Sequence, residues 1–417
     1  MYITKIEMML LKFNKAPFIC LFACAFALVG CSCSLFGDNK SEIVQMTTKP
    51  DDTTQTEVHT DYAYDTLTSS YSKDLYIKIG QNITNAYAPT ITVDGELDDY
   101  LIAQAVEAYK NDHPENFWLK GVDNYTNYDS YTKIALTYTR ENDDLLEAKS
   151  KFDTAVDAAL QNAPLSGAFA KEEYANNYIV DKCTYDINAA NSSSVDGDEN
   201  DAYGALVQGS AVCEGYARAF QLLCNRLDID CVMISGKVKT GNHAWNCVKI
   251  GGNWYQIDVT WNDTDGKNEY AQNDYFNLTD SVMYTDHTLS PKYSDITTDK
   301  YMNLDVWCNF FVPKCASDDY SYYGYKYPTL SQLDNADEIC TAIAAAAKNR
   351  EKYFSIVIDS NTEFDYMYDE IVQDGYLSDW LSKANDINSS SPCLNVACYV
   401  YRKDRLSAVT MALEYVN

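Results

Sequence analysis

The most informative hydrophobic pattern lies near the middle of the chain. Apolar residues recur at intervals of three and four over 217–227, which predicts a helix that begins close to Cys213. The runs 242–250 and 253–261 are rich in β-formers and are separated by Gly251-Gly252, so they predict a hairpin with a two-residue turn. We therefore expect a helix followed by an antiparallel strand pair.

The short turn fixes the register of this hairpin. If Ile250 pairs with Asn253, then His243 and Asp258 become diagonal neighbours on one face of the sheet. The other face is predicted to be the core face, with apolar side chains at Val248, Ile250, Tyr255, Ile257, Val259 and Trp261. The face with His243 and Asp258 is expected to look toward the helix of Cys213 or toward solvent.

The segment before this region has a mixed pattern. Residues 98–111 and 143–161 have helical periodicity, whereas residues 131–140 alternate like a strand. This pattern predicts a small α/β unit over 61–165.

The segment after it is also mixed. An alanine-rich run over 340–348 predicts a helix, and residues 354–358 and 406–416 are typical of strands. We therefore expect a second small α/β unit over 299–417, which leaves the central region, 166–298, as a domain of its own.

The N-terminus has the pattern of a secretory signal. Three lysines precede an apolar run over 16–29 that is too short to span a bilayer. The run ends in Leu28-Val29-Gly30-Cys31, which resembles the lipobox of bacterial lipoproteins; the alternative is an ordinary secretory signal. The resemblance implies a signal peptide over 1–30, lipid attachment at Cys31 and an extracytoplasmic protein anchored to the bacterial cell membrane. Residues 31–60 have the polar composition of a flexible tether.

The amino-acid composition excludes some classes of binding partner. The 417 residues are 46% hydrophobic and 22% charged, which is a globular balance. With 32 Lys plus Arg against 61 Asp plus Glu, the formal net charge is −29, so binding to nucleic acid or to anionic lipid headgroups is not expected. Contact with the membrane is expected only through the N-terminal lipid.

The fourteen cysteines do not form the CxxC pairs that commonly hold zinc. We therefore expect no metal site and no cofactor. Their spacing leaves open which of them pair as disulfides, and the sequence leaves the oligomeric state open.

The strongest chemical signal combines three residue types. Cys213 lies at a helix start, where free N–H groups and the helix dipole stabilise a thiolate. His243 is expected on a neighbouring strand, with Asp258 close enough to orient it. A thiol, a histidine and a carboxylate in this relation form the general design of a thiol acyl-transfer site.

The strings around these residues resemble the transglutaminase-like superfamily, and most closely its kyphoscoliosis-peptidase-like bacterial branch. They are VCEGYA at 212–217, NHAWN at 242–246 and WYQIDVTWND at 254–263, with Thr184-Tyr185-Asp186 upstream. The resemblance covers about 174–289.

The resemblance implies an α+β, papain/transglutaminase-like core in which a nucleophile helix packs on an antiparallel sheet. Smaller mixed α/β units would flank this core. It also implies that Cys213 is the nucleophile, that His243 acts first as base and then as acid, and that Asp258 orients His243. The substrate would be an amide of a protein or peptide, with a thioester intermediate.

The sequence leaves two acyl-transfer reactions open, hydrolysis and transamidation, and two other hypotheses compete with them. Water would make the enzyme a peptidase or amidase, whereas an amine acceptor would make it a transglutaminase. The alternative is a non-catalytic surface module that binds peptide or glycan through its tyrosine-rich flanks. Acetyl transfer from a coenzyme is a weaker hypothesis, because no phosphate-binding glycine-rich loop is evident.

Four further residues have two interpretations each. Trp245 and Trp254 share the predicted face of His243, and they either form substrate walls or pack against the N-terminal unit. Gln208 is either a second oxyanion donor or a solvated loop residue. His287 is interpreted as a structural turn histidine, with a substrate contact as the alternative.

Overall fold

The computed structural model describes residues 60–85, 88–192, 197–296, 308–333 and 336–416. The predicted signal peptide, the lipid site Cys31 and nearly all of the predicted tether lie outside these ranges. Within them, none of the helices combines the length and the apolar character needed to cross a bilayer.

The N-terminal part is a helical layer on a small antiparallel sheet. Its elements are α1 (Tyr62–Thr66), α2 (Ser70–Asn85), β1 (Thr90–Asp94), α3 (Asp99–Asp112), β2 (Leu119–Asn127), β3 (Tyr131–Tyr138) and α4 (Asn142–Leu160). The strand order is β1-β3-β2. Asp98 caps α3, because its side chain accepts the N–H of Leu101. The predicted helices and the predicted strand of this part are confirmed.

The central part contains a four-stranded sheet of order β8-β7-β6-β9. Its elements are α5 (Ala168–Lys182), β4 (Thr184–Tyr185), α6 (Ile187–Ala190), β5 (Ser210–Ala211), α7 (Cys213–Arg226), β6 (Cys231–Val238), β7 (Gly241–Ile250), β8 (Asn253–Ile257), α8 (Val259–Asn262), α9 (Asp280–Met283) and β9 (Thr288–Leu289). Helix α7 begins at Cys213, as the apolar spacing predicts.

The β7–β8 hairpin has the predicted register. Ile250 pairs with Asn253, and Asn246 pairs with Ile257. Both turn glycines have positive φ, which suits a residue without a Cβ. The predicted strand over 253–261 is too long, however, because β8 ends at Ile257 and Asp258 becomes the N-cap of α8.

The two faces of the sheet are covered by different parts of the chain. Val248, Ile250, Tyr255, Ile257 and Val259 are buried, as predicted for the core face. Helix α7 packs on this face, where the Asn246 side-chain amide donates to the carbonyl of Ala217 at 3.0 Å.

The opposite face is not open to solvent. Trp245 and Cys247 are buried there in a cluster with Leu278, Met283 and Cys315. Of the two orientations expected for this face, toward the helix of Cys213 or toward solvent, the second is wrong, because segments far along the chain cover it. The first residue of α7, Cys213, belongs to the site described below.

The C-terminal part has a second hydrophobic cluster around a four-stranded sheet of order β10-β11-β14-β13. Its elements are α10 (Tyr322–Lys326), β10 (Thr329–Leu330), α11 (Asp337–Lys348), β11 (Tyr353–Ile358), α12 (Phe364–Val372), α13 (Tyr376–Ile387), β12 (Cys393–Leu394), β13 (Val400–Lys403), β14 (Ala408–Ala412) and β15 (Tyr415–Val416). The predicted terminal strand is divided into β14 and β15, because β15 pairs with β12 of a separate two-stranded sheet.

The limits of the three predicted folded units stay predictions. The predicted boundary between 298 and 299 falls in 297–307, outside the described residues. The residues that the structure describes, from 60 onward, belong to one compact unit.

Gly236 on β6 marks the tightest contact in the central sheet. A Cβ there would lie 2.2 Å from the carbonyl oxygen of Thr288 and 2.4 Å from the ring of Trp245. We expect Gly236→Ala to lower the free energy of unfolding by about 1–3 kcal/mol, because β9 and the indole must move apart. Urea unfolding would measure this loss. Gly121→Ala on β2 is the control, since a Cβ there meets no atom within 4 Å; equal stability of the two variants would contradict the prediction.

Candidate active site

Cys213 lies at the N-terminus of α7 in an apolar setting. Its side chain is buried with Ala217, Met233 and Ala244, and Tyr185 is half-buried against this cluster. Val212 at the N-cap offers no side-chain oxygen, so it leaves the first N–H groups of the helix without a side-chain cap. These groups and the helix dipole favour a negative charge on the Cys213 sulfur.

His243 lies on β7 and is 4% exposed. Its Nε2 donates to Oδ2 of Asp258 at 2.7 Å. The thiol of Cys213 lies near this ring, since it contributes to the raised pKa of His243. Because Nε2 is engaged with Asp258, Nδ1 is the ring nitrogen that remains for the thiol. The structure therefore brings the three predicted residues together in the order Cys213, His243, Asp258.

Asp258 is fully buried and is held at both carboxylate oxygens. Oδ1 accepts the N–H of Trp261 at 3.1 Å, as expected of a helix N-cap. Oδ2 accepts from His243 and also from Nε2 of His287, at 3.1 Å. The carboxylate thus has a fixed orientation toward the His243 ring.

The charges of this group reinforce one another. Burial lowers the pKa of His243, but the carboxylate of Asp258 and the thiol of Cys213 outweigh it and raise the pKa to about 10. Burial would raise the pKa of Asp258, yet hydrogen bonds and charge from His243 and His287 hold it well below its usual range. The site therefore favours an imidazolium at His243 and a carboxylate at Asp258.

His287 has a place that the sequence did not predict. It is 1% exposed, and it lies between α9 and β9 with Nδ1 2.7 Å from Oδ1 of Asp286. It directly follows a turn and is buried, which fits the structural interpretation, but its contact with Asp258 was not predicted. Little in the sequence indicates this position, because His287 is one of four histidines and is marked only by the aspartate before it.

The three buried groups lie close enough to be compared with a metal site. The ligand atoms of His243, Asp258 and His287 all lie within 4.8 Å of one another. Hydrogen bonds already join the two rings to the carboxylate. We therefore interpret the group as a hydrogen-bonded charge network and not as a metal centre.

An aromatic shell surrounds the two histidines. The Trp261 ring lies 5.6 Å from His243 and 4.5 Å from His287, measured between ring centroids. Its predicted place on the core face is wrong, because β8 ends before it and α8 turns it toward the site. Trp261 is half-buried, so part of its indole remains exposed beside His243.

The two predicted substrate tryptophans lie elsewhere. Trp245 is 1% exposed and donates from Nε1 to Gln256, so it presents almost no surface to a substrate. Trp254 lies at the opposite end of the hairpin and packs against Tyr62 and Phe311. Trp254 fits the packing alternative, because its partner Tyr62 belongs to the N-terminal unit. Trp245 fits neither interpretation, since it packs within the central part of the chain, against Cys247, Leu278 and Met283.

The position of Gln208 also fits the simpler of its two interpretations. Its side chain is exposed, and its amide donates to Asp198 at 2.5 Å. A second donor for an oxyanion is therefore not supplied by Gln208 in this arrangement.

Tyr185 is a further residue beside the thiol. Burial and the charges of Cys213 and Asp258 raise the pKa of its hydroxyl to about 12. The hydroxyl therefore keeps its proton at neutral pH and can act as a donor. Its string, Thr184-Tyr185-Asp186, carried part of the family resemblance, but its place beside Cys213 depends on the pairing of β4 with β5.

Comparisons with known proteins identify a transglutaminase-like region in this chain. Residues 156–259 match the family model of the Transglutaminase-like superfamily. The kyphoscoliosis peptidases of Mus musculus and Homo sapiens are each 30% identical to this chain over 89 residues, which is 17% of this chain and 14% of the relatives. The match thus spans a small part of those proteins.

Two solved structures are also similar. One is described as a TGase, with 17% identity, a TM-score of 0.26 and coverage of 42% of this chain and 52% of that chain. The other is a candidate cysteine protease from Cytophaga hutchinsonii, with 16% identity, a TM-score of 0.23 and coverage of 33% and 61%. The matched family region includes Cys213, His243 and Asp258 but ends before His287.

Proposed function

Because residues 156–259 form a transglutaminase-like domain, we propose that this chain is a thiol acyl-transfer enzyme. Cys213 is the nucleophile, His243 is the general base and acid, and Asp258 orients His243. The observation that carries the proposal is the position of Cys213 at the start of α7 near His243, whose Nε2 donates to the buried carboxylate of Asp258 at 2.7 Å.

The first half of the reaction forms a thioester. The Cys213 thiolate attacks the carbonyl carbon of an amide, and negative charge develops on the carbonyl oxygen. The backbone N–H of Cys213 at the start of α7 is suited to donate a hydrogen bond to this oxygen. As the C–N bond breaks, the imidazolium of His243 gives its proton to the departing amine.

The second half returns the enzyme to its starting state. His243, now neutral, takes a proton from the incoming nucleophile, which attacks the thioester carbon while the C–S bond breaks. Water as the nucleophile gives a carboxylic acid, and an amine gives a new amide. We propose protein or peptide substrates, with hydrolysis as the main outcome and transamidation as the competing one.

The proposed location rests on the N-terminal sequence. Its lysines, apolar run and Leu28-Val29-Gly30-Cys31 string support export and lipid attachment at Cys31. In that case the enzyme acts outside the cytoplasm while it is anchored to the cell membrane.

Alkylation of the thiol tests the proposed nucleophile without requiring a known substrate. The full chain is purified in detergent, exposed briefly to iodoacetamide across about pH 5 to 9 and analysed by peptide mass spectrometry. We expect Cys213 to react first, and to react at the acid end of this range, because His243 stabilises its thiolate. In His243→Ala this reactivity at low pH should be lost.

The other cysteines provide the internal control. Cys308 and Cys393 are half-buried, so their accessibility is no lower than that of Cys213. If they react as fast as Cys213, the enzyme proposal fails and the binding-module alternative takes its place.

A second assay separates the two acyl acceptors. Dye-labelled casein is incubated with the protein, with and without monodansylcadaverine. Release of small peptides without incorporation of the amine indicates a peptidase, whereas incorporation of the amine into intact casein indicates a transglutaminase.

A further inference from the structure

We infer that His287 is a positioning residue for Asp258, and that Asp286 and Arg405 hold His287 in place. The inference rests on the proposed function, since Asp258 matters to catalysis only if His243 is the acid and base. It adds a second histidine behind the carboxylate and a residue from the C-terminal part of the chain.

The contacts form one continuous series. Nε2 of His287 lies 3.1 Å from Oδ2 of Asp258, and Nδ1 lies 2.7 Å from Oδ1 of Asp286. Oδ2 of Asp286 accepts from Arg405 at 2.9 Å and from the hydroxyl of Tyr275 at 2.7 Å. The His287 side chain itself is fully buried.

The chemistry of the neighbours sets the role of His287. An ionised carboxylate accepts hydrogen bonds but cannot donate them, so both bonds form together only when both ring nitrogens of His287 carry hydrogen. His287 is therefore placed to donate to Asp258 on one side and to Asp286 on the other, and Asp286 in turn accepts from Arg405.

His287 also limits the freedom of Asp258. His243 and His287 approach the same oxygen, Oδ2, from two rings whose centroids are 5.4 Å apart. If His287 were absent, Asp258 would keep one histidine but lose a donor in a fully buried site. The carboxylate would then be easier to protonate and less firmly aimed at His243.

Arg405 links this network to the C-terminal part. Its guanidinium lies 4.0 Å from the ring centroid of Tyr275. Nearby, Lys403 donates to Oδ1 of Asp274 at 2.6 Å and to the carbonyl of Tyr270 at 2.9 Å. The loop over 270–287 is therefore held by two cations of the C-terminal sheet region.

The test compares His287→Ala with His287→Gln in the full chain, with EDTA present. A glutamine amide can still donate to Asp258, whereas alanine cannot. We expect His287→Ala to lower kcat/KM on dye-labelled casein by about 10 to 100-fold, mainly through kcat, and His287→Gln to recover most of it. The acid limb of Cys213 alkylation, which is the pH range in which its rate falls on acidification, should move to higher pH in His287→Ala but not in His287→Gln.

Arg405→Gln provides the second arm, with Arg402→Gln as its matched control. Arg402 lies three residues earlier, on β13, and pairs with the exposed Asp365 and Asp404. We expect the same shift of the acid limb in Arg405→Gln, smaller than in His287→Ala, and none in Arg402→Gln.

The outcomes separate the inference from the function on which it rests. A histidine-labelled NMR titration follows His243 directly in wild type, His287→Ala and His287→Gln, with thermal unfolding as the check on folding. A changed His243 titration in His287→Ala, restored by glutamine, supports the inference even if casein is not cleaved. An unchanged titration and an unchanged acid limb in folded His287→Ala would overturn it, while rapid alkylation of wild-type Cys213 would leave the proposed function standing.

Discussion

Replacing Cys213 with alanine is expected to reduce both casein cleavage and amine incorporation to background, a loss of about 10⁶-fold in kcat. The reason is that no other group at this position can form the thioester, so the covalent route is closed. The fold should survive, because the side chain is small and the change in unfolding free energy should be about 1 kcal/mol.

Cys224→Ala is the matched control for this variant. Cys224 lies on the same helix, α7, and is fully buried in the main hydrophobic cluster, so its loss affects packing but not chemistry. We expect it to retain full activity after correction for folded protein. If Cys213→Ala cleaved casein as well as Cys224→Ala does, Cys213 would not be the nucleophile.

Replacing Asp258 with asparagine is expected to lower kcat by about 10⁴-fold, although the side chain keeps its size. Asparagine can still accept the N–H of Trp261 as a helix cap, so the start of α8 should remain. It carries no charge, however, and its amide can present a donor where His243 needs an acceptor. The pKa of His243 should fall, because the carboxylate is one of the two groups that raise it.

The stability of this variant should depend on pH in a defined direction. The pKa of His243 is raised from 6.5 to about 10 in the folded protein, so the pair with Asp258 contributes fully below about pH 6.5 and loses its contribution as the pH rises toward 10. The pKa of Asp258 is lowered, so the same pair persists in acid until the pH falls below the usual aspartate range. Urea unfolding of wild type and Asp258→Asn should therefore differ most near pH 5 to 6 and converge toward about pH 10.

Asp263→Asn is the control for a lost carboxylate that is not part of the site. Asp263 follows α8, is half-buried and accepts the hydroxyl of Tyr216 at 2.6 Å. We expect its kcat to stay near that of wild type. A comparable loss in the two variants would show that the Asp258 effect is structural.

The sequence predicted those features of the site that depend on local geometry. The Gly251-Gly252 turn determines the hairpin register, and that register places His243 close to Asp258. The apolar spacing over 217–227 likewise predicts where α7 begins. Such patterns are short in range, so no knowledge of the remaining chain was needed.

The end of β8 was predicted wrongly for a reason that can be identified. Val259 and Thr260 are β-branched and favour a strand, which extends the predicted alternation to Trp261. Asp258 provides a competing signal as a helix N-cap, and in the folded chain its side chain bonds to the N–H of Trp261. Cap chemistry therefore outweighs strand propensity at this position, and Trp261 turns toward the histidines.

His287 could not be predicted in the same way. It is separated from Asp258 by a stretch of short helices and irregular loops in which no hydrophobic period guides a prediction. Its position depends on β9 pairing with β6 and on Arg405, which is more than a hundred residues away. The same long-range packing decided that Trp245 is buried.

Arg405 and Lys403 bind the segment 270–287, and this determines which truncated forms of the protein can be expected to fold. A fragment that stopped at the predicted limit of 298 would keep all three proposed catalytic residues. It would leave Asp274 and Asp286 without the cations that face them, beside a histidine buried between carboxylates. The smallest autonomous version of this enzyme is therefore expected to extend through β14, and a survey of truncated forms should find soluble, active protein only beyond that strand.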